Sequence, residues 1–209
     1  MRKANFDTSH TEFETWIMWY GSFLKRLIEA QRIVRTKVEK LELVEALVLR
    51  CAVRWEVLVQ EDIITSLNRD SSGYASALGL RLKKHLSRDE CKAMLIGHRY
   101  LDFRSVADIK RFGKNYLSSA HNPFRAISSQ CAEKIDEFMT MRNVLAHYSD
   151  FAWRSYHRFM QSKYNYKRVP EPGEFLIRPN TKSHEYRWSE YLRAFLQCSE
   201  DMRAAVSCR

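Results

Sequence analysis

Apolar residues recur every three or four positions along most of the chain, which is the spacing of amphipathic α-helices. A Pro/Gly cluster at 170–173 interrupts this pattern, and we expect a short non-helical segment near 170–183 with an extended stretch at 175–177. The sequence therefore predicts an all-α helical bundle that ends in a C-terminal helix. Helices are predicted over residues 10–36, 41–69, 74–85, 88–97, 106–117 and 184–206, and a motif-bearing helical region over 122–166.

Helix-capping residues stand beside several of the breaks. Ser87 and Glu90 have the three-residue spacing of a capping box, in which each side chain bonds the other residue's backbone N–H. Ser105 can accept from the first turn of a following helix, and Pro123 and Ser128 are typical of helix starts. These signals predict where the central helices begin.

Composition fits one helical domain. Only four prolines and six glycines occur in 209 residues, and 45% of the residues are hydrophobic, which favours long helices around one substantial core. We expect a single domain over 1–209, with a motif-bearing region at 122–166 and a C-terminal appendage at 170–209. No stretch approaches 18 uncharged apolar residues, and the first residues lack an apolar signal core, so we expect a cytoplasmic protein without membrane association.

The five cysteines form no close pair and no metal-ligand spacing, which predicts reduced, buried thiols. For the same reason we expect no metal site, and nothing in the sequence calls for a cofactor. The cysteines are Cys51, Cys91, Cys131, Cys198 and Cys208.

One arginine interrupts an apolar helical stripe. Cys131, Ile135 and Phe138 define a stripe that requires an apolar residue at 142 before it resumes at Leu145, yet position 142 is Arg. A residue that breaks the local pattern without evident compensation is a candidate for function.

Polar residues form a second stripe on the same predicted helix. Asp136, Thr140, Asn143 and His147 follow at offsets of four, seven and eleven, and Arg142 borders this face. The stripe brings a permanent cation, an amide and a titratable imidazole into one neighbourhood.

A structural interpretation of the same residues stays open. Arg142 could extend along an apolar groove or pair with Asp136 or Glu137, while His147 forms ordinary structural hydrogen bonds.

The stretch at 142–147, preceded by 135–138, resembles the Arg, four-to-six residues, His motif of HEPN-domain proteins, which are all-helical and include many endoribonucleases. Residues 41–69 and 122–148 are similar to the second helix and the motif-bearing region of the ribonuclease-like branch, so the resemblance covers about half of the chain. In family members paired with nucleotidyltransferases a Tyr lies two positions after the His, whereas here Tyr148 follows immediately.

The resemblance implies a metal-independent endoribonuclease, with a role as a toxin or defence effector. His147 would transfer protons, Arg142 would neutralise charge on the phosphorus, and Asn143 would orient the His or a phosphate oxygen. Residues five apart on an ideal helix differ by about 140° in direction and about 7.5 Å in height, which favours a homodimer whose two chains share the site. The residues expected to support this site are Asp136, Glu137, Thr140 and Tyr148.

Positive charge is concentrated in the middle of the chain. The net charge is +10, and residues 81–125 contain eleven Lys/Arg against four Asp/Glu. Such a region, interleaved with aromatic residues, is typical of a surface that contacts RNA, although lysines on helices usually face solvent and aromatics at helical spacing usually pack inside. The expected RNA-binding residues are Lys83, Lys84, Arg111, Lys114 and Arg125, and the aromatic and histidine neighbours are His85, His98, Tyr100, Phe103, Phe112 and Tyr116.

Another class of function fits the same sequence. A non-catalytic HEPN-like helical dimer could bind RNA or a protein partner without cutting either. A cognate antitoxin or a defence-system protein is a further expected partner, and its gene as a genomic neighbour would favour a toxin-like nuclease.

Overall fold

The computed structural model describes residues 4–29, 36–97, 103–181 and 183–207, and this part of the chain is all-α, as predicted. Besides two short 3-10 helices at Ser119–His121 and Pro123–Ala126, these residues form one isolated β-bridge between Pro179 and Tyr186. The α-helices are α1 (Phe6–Glu29), α2 (Lys37–Arg69), α3 (Ser72–Leu78), α4 (Arg88–Gly97), α5 (Val106–Tyr116), α6 (Ser129–His147), α7 (Asp150–Tyr164), α8 (Pro172–Ile177) and α9 (Arg187–Ser207).

The predicted caps are confirmed. Glu90 accepts from the Ser87 backbone N–H at 2.6 Å, and Ser87 Oγ accepts from the Glu90 N–H at 3.1 Å, so α4 starts in a capping box. Ser105 Oγ and Ser128 Oγ each accept at 3.2 Å from the backbone N–H three residues later, at the starts of α5 and α6. Each signal worked because a cap is a contact between residues close in sequence.

The third helix is shorter than predicted. It ends at Leu78 rather than near position 85, because Gly79 adopts a left-handed backbone with φ +64°. The Leu80 N–H then donates to the Ala75 carbonyl at 2.9 Å, which closes the helix end.

Two further boundaries differ from the prediction. The helical region predicted over 122–166 has an internal break that was not predicted, because α6 ends at His147 and α7 starts at Asp150 with Ser149 as its cap. The stretch at 175–177 is not extended but belongs to α8, which starts with Pro172 at its first position.

Contacts divide the chain into two compact units. We call residues 15–54 and 133–196 the motif unit, and residues 1–14, 55–132 and 197–209 the His10 unit. Helices α1, α2, α6 and α9 contribute residues to both, and a single domain over 1–209 stays a prediction.

The motif unit packs α6 against α9. The Phe138 ring lies 5.7 Å from that of Tyr191 and 5.0 Å from that of Phe195. Gly21 of α1 approaches α9 closely, since a Cβ at this position would lie 3.0 Å from Leu192 Cδ1. The middle of α6 is therefore held inside a packed core.

The His10 unit is joined by side-chain bonds to loop backbone. Asn68 of α2 donates to the Leu86 carbonyl at 2.6 Å and accepts from the Ala4 N–H at 2.7 Å. Gly113 of α5 permits a close approach, because a Cβ there would lie 2.6 Å from Asn122 Oδ1.

Candidate functional site

The buried side of α6 runs through Phe138, Met141 and Val144. Met141, and not position 142, continues the apolar stripe, since a helix that advances 100° per residue can step by three as well as by four. The prediction that Arg142 fills an apolar slot is therefore wrong. Arg142 is half-buried beside the stripe, where its stem can pack and its guanidinium can reach the polar face.

The three predicted catalytic residues occupy the last turns of α6. Arg142 Nη1 donates to Asn143 Oδ1 at 3.1 Å, and both side chains are half-buried. His147 is the last residue of the helix and is exposed, and its ring has no hydrogen-bond partner within the described residues. The structure thus brings Asn143 to Arg142, while His147 faces solvent.

Thr140 and Asp136 lie earlier on the same helix and are joined by a hydrogen bond within it. Thr140 Oγ1 donates to the Asp136 carbonyl at 2.9 Å, a bond within α6, and both residues are half-buried. This bond ties the Thr140 side chain to the backbone of the helix that carries Arg142.

Glu137 anchors α6. Its buried carboxylate accepts from Tyr191 Oη at 2.9 Å and from Tyr164 Oη at 3.1 Å, and it also binds Lys163. Lys134 Nζ lies 3.5 Å away on the same helix. Burial raises the pKa of both tyrosine hydroxyls, so they remain neutral donors to the carboxylate. These contacts fix α6 against α7 and α9 within the motif unit.

Tyr148 follows His147 and leaves the helix sharply. Its N–H donates to the Val144 carbonyl at 2.9 Å, its φ is +46°, and its side chain is 67% exposed. This predicted supporting residue is therefore available to a ligand.

The predicted RNA-binding residues all lie in the His10 unit and are exposed. Lys83 and Lys84 fall in the loop after α3, where Ser71 Oγ donates to the Lys83 carbonyl at 2.5 Å and the Ser71 N–H donates to the Lys84 carbonyl at 2.9 Å. Their backbone is thus held while the ammonium groups face solvent. The five exposed residues are Lys83, Lys84, Arg111, Lys114 and Arg125.

An open groove of about 520 Å³ lies along α5. Phe112 contacts Phe103 and Tyr116, with ring centroids 5.6 Å and 5.0 Å apart, so part of the predicted aromatic set packs together. Arg111 forms an ion pair with Asp108 beside it, which offsets its charge. His98 and Tyr100 lie outside the described residues.

A buried network of polar side chains was not predicted from the sequence. Ser199 Oγ lies 2.7 Å from His10 Nδ1, and His10 Nε2 lies 3.1 Å from Asp62 Oδ2. Ser199 Oγ also donates to Glu14 Oε1 at 2.9 Å, and Arg203 lies 3.3 Å from that carboxylate.

Ser199, His10 and Asp62 are, in this order, the residue types of a nucleophile, a base and an acid, but their burial excludes a substrate. All three of Ser199, His10 and Asp62 are 0% exposed. Burial raises the pKa of Asp62, and the contact with His10 lowers it. These side chains therefore form an internal polar network of the His10 unit. The sequence could not reveal it, because His10 lies 52 positions from Asp62 and 189 positions from Ser199.

The described residues contain no group of three His, Cys, Asp or Glu side chains arranged to hold a metal ion. Within the same part of the chain, no helix is both long and apolar enough to cross a membrane. The prediction of reduced, buried thiols is confirmed for four cysteines, and Cys208 lies outside the described residues. The four are Cys51, Cys91, Cys131 and Cys198.

No protein-family model, curated protein or solved structure matches this chain. The resemblance to HEPN domains accordingly remains a prediction that rests on residues 41–69 and 122–148.

Proposed function

We propose that this chain is a metal-independent endoribonuclease of the HEPN type that cuts single-stranded or looped RNA. The observation that carries the proposal is the end of α6, where an exposed His147 follows an Arg142 guanidinium that Asn143 holds in place. The rest of the helix is anchored in the motif unit through Glu137, so these groups stand on a fixed support.

RNA supplies its own nucleophile in this reaction. His147 takes the proton of a 2′-hydroxyl, the 2′-oxygen bonds to the adjacent phosphorus, and the bond from phosphorus to the 5′-oxygen breaks. Arg142 neutralises the charge that develops on the non-bridging oxygens, and a second imidazole gives a proton to the leaving 5′-oxygen. The products are a 2′,3′-cyclic phosphate and a 5′-hydroxyl, and DNA is not cut because it lacks the 2′-hydroxyl.

The need for two imidazoles leads to a dimer. The directions of the Arg142 and His147 side chains differ by about 140° around α6. Each chain has one His147, so a site that needs a base and an acid takes the second imidazole from another chain. A two-fold axis beside the end of α6 would place the same residues of two chains opposite each other, one His as base and one as acid.

The test is cleavage of a single-stranded RNA in excess chelator, with analysis of the product ends. We expect 2′,3′-cyclic phosphates, a loss of at least about 100-fold for His147→Ala and for Arg142→Ala, and a smaller loss for Asn143→Ala. His184→Asn is the matched control, because His184 also follows an arginine, Arg178, at a similar spacing but lies in a loop with φ +58°. Strict dependence on magnesium with 5′-phosphate products would exclude the mechanism.

Subunit mixing tests the shared site. Arg142→Ala and His147→Ala proteins should each be nearly inactive alone, and exchange of chains should restore activity if one site takes its Arg and His from different chains. A monodisperse monomer with full activity would refute the dimer.

The alternative, a non-catalytic helical dimer that binds RNA or a protein, is favoured by one observation in the motif unit. Met18 and Trp19 of α1, and Leu49 and Val53 of α2, are large apolar side chains that are 36–55% exposed. Folded protein that forms a stable complex but cuts no RNA under any condition would support this alternative.

A further inference from the structure

Two exposed aromatic side chains lie one and four positions after His147. Phe151 is 75% exposed and Tyr148 is 67% exposed, the two highest fractions among the large apolar side chains of the described residues. A single exposed apolar residue is ordinary, but a pair of aromatics beside an exposed His and a fixed Arg is a local concentration of binding groups. Unpaired nucleobases stack on such rings.

The backbone beneath Tyr148 is strained. Helices α3 and α7 also end in a left-handed residue, but there the chain uses Gly79 (φ +64°) and Asn165 (φ +52°), which tolerate that conformation. Tyr148 takes the same conformation at φ +46° although its side chain is mostly in water and gains little from packing. A strained residue that is not repaid by burial points to a function for its side chain.

Positive charge continues from these rings along α7. Arg154 and Arg158 lie three and seven positions after Phe151, on the same side of the helix, and both are exposed. Asp150 is the only acidic residue of α7, and none of the described residues forms an ion pair with either arginine. We call Tyr148, Phe151, Arg154 and Arg158 the α7 strip. It spans about 10 Å from Phe151 to Arg158, enough for more than one nucleotide.

We propose that the α7 strip holds single-stranded RNA, with Tyr148 and Phe151 stacked on unpaired bases and Arg154 and Arg158 on phosphates, so that the strand leads to His147. The choice of RNA as the occupant rests on the proposed ribonuclease function. Charge complementarity favours it over a peptide, because the strip places two exposed aromatic rings next to two arginines that pair with no acidic group of the described residues, and a single strand offers bases to the rings and phosphates to the cations.

The experiment measures RNA binding without cleavage. The full chain carries His147→Ala, and its affinity for a labelled single-stranded RNA of about ten nucleotides is followed in chelator at several salt concentrations. Tyr148→Gly and Phe151→Ala should each weaken binding by roughly 5-fold to 150-fold, while Tyr148→Phe, which keeps the ring, should stay within about 2-fold. Val38→Ala removes another highly exposed apolar side chain of the motif unit, 65% exposed and outside every surface proposed above, and should leave the affinity unchanged.

The salt dependence of the RNA affinity distinguishes contacts to bases from contacts to phosphates. The slope of log affinity against log salt should become shallower by about 1.4 for Arg154→Gln/Arg158→Gln, because each contact to a single strand contributes about 0.7. Tyr148→Gly should keep the slope and lose affinity. It should also raise the melting temperature by roughly 2–4 °C, because Gly relieves the left-handed backbone. Loss of affinity together with a gain in stability cannot result from misfolding.

The outcomes distinguish this inference from the proposed function. Cleavage by the protein with native His147 that is indifferent to all four strip substitutions would overturn the strip and leave the ribonuclease intact. Strip-dependent binding without cleavage would support the strip and refute the ribonuclease. If Tyr148→Gly and Phe151→Ala instead convert a dimer to a monomer by light scattering, the strip contacts a second copy of the chain, and the inference is wrong.

Discussion

Removal of the buried imidazole at position 10 tests the internal network most directly. In His10→Ala, Asp62 keeps its carboxylate at a site that is 0% exposed but loses the ring nitrogen 3.1 Å away. An uncompensated buried charge costs about 3–5 kcal/mol, whereas the same pair intact contributes little net stability because both groups were desolvated. We expect His10→Ala to lower the free energy of unfolding by about 3–5 kcal/mol, which corresponds to a melting temperature lower by roughly 6–20 °C for a chain of this size.

The pH dependence gives the sign of the effect. Burial raises the pKa of Asp62, Glu61 raises it slightly further, and His10 lowers it. Without His10 the folded-state pKa therefore rises more above the unfolded value. A carboxyl of that kind stabilises the fold at low pH, and the contribution is lost as pH rises through the folded pKa. The deficit of His10→Ala should thus be smaller at about pH 5 than at about pH 8.

Urea unfolding of a double-mutant cycle provides the measurement. His10→Leu/Asp62→Leu removes the buried carboxylate together with its imidazole partner, so it should be more stable than the sum of the two single changes predicts, by at least about 1 kcal/mol. Ser199→Ala is the control, because it removes a neutral link and should cost about 1–3 kcal/mol with little dependence on pH. Additive single changes, or a His10→Ala deficit that grows at acidic pH, would refute a compensated buried pair.

Three further predictions concern the fold around the site, each checked by urea unfolding. Glu137→Gln should cost about 2–4 kcal/mol, because the amide cannot serve both tyrosine hydroxyls and Lys163 as the carboxylate does; an unchanged midpoint would contradict the anchor. Gly113→Ala should cost about 1–3 kcal/mol, since its Cβ would lie 2.6 Å from Asn122 Oδ1. Gly79→Ala meets open space and should cost only about 1 kcal/mol, because alanine disfavours the positive φ at this position. Equal costs for the two variants would show that the close contact at Gly113 does not determine the loss of stability. Ser105→Ala should cost about 1 kcal/mol through loss of the α5 cap. The neutral comparison is Ser119→Ala, because the exposed Ser119 side chain has no hydrogen-bond partner among the described residues.

The parts of the fold that were predictable are those decided within one turn of chain. The Ser87 and Ser105 caps lie three residues from the groups they bond, so the starts of α4 and α5 could be read from the sequence. The end of α3 carried a similar signal in Gly79, which was missed because leucines on both sides continue an apolar pattern. The break inside the helical region at 122–166 has a weaker sequence signal, a Ser149 followed by Asp150, and neither Gly nor Pro marks it.

The candidate site was predictable as far as helical spacing reaches. Arg142, Asn143 and His147 were expected on neighbouring faces of one helix, and α6 carries them there. Which residue of the stripe is buried was not predictable, because Met141 and position 142 both fit a three-to-four spacing until α9 provides a partner for α6. The His10 network depends wholly on tertiary contacts between α1, α2 and α9 in one unit, so no local pattern announces it.

Helix α6 joins these observations in one physical arrangement. Its middle is fixed at Glu137 by two tyrosines and two lysines, while His147 lies about 15 Å farther along, exposed at the helix end. A helix that is packed in its middle and exposed at its end can present a reacting side chain to a ligand at a fixed position. Proton transfer between His147 and RNA would need such a position. A substitution at Glu137 can therefore lower the cleavage rate although Glu137 does not contact RNA. In folded Glu137→Gln protein, RNA binding at the α7 strip should persist while cleavage falls, whereas Tyr148→Gly should reduce binding first.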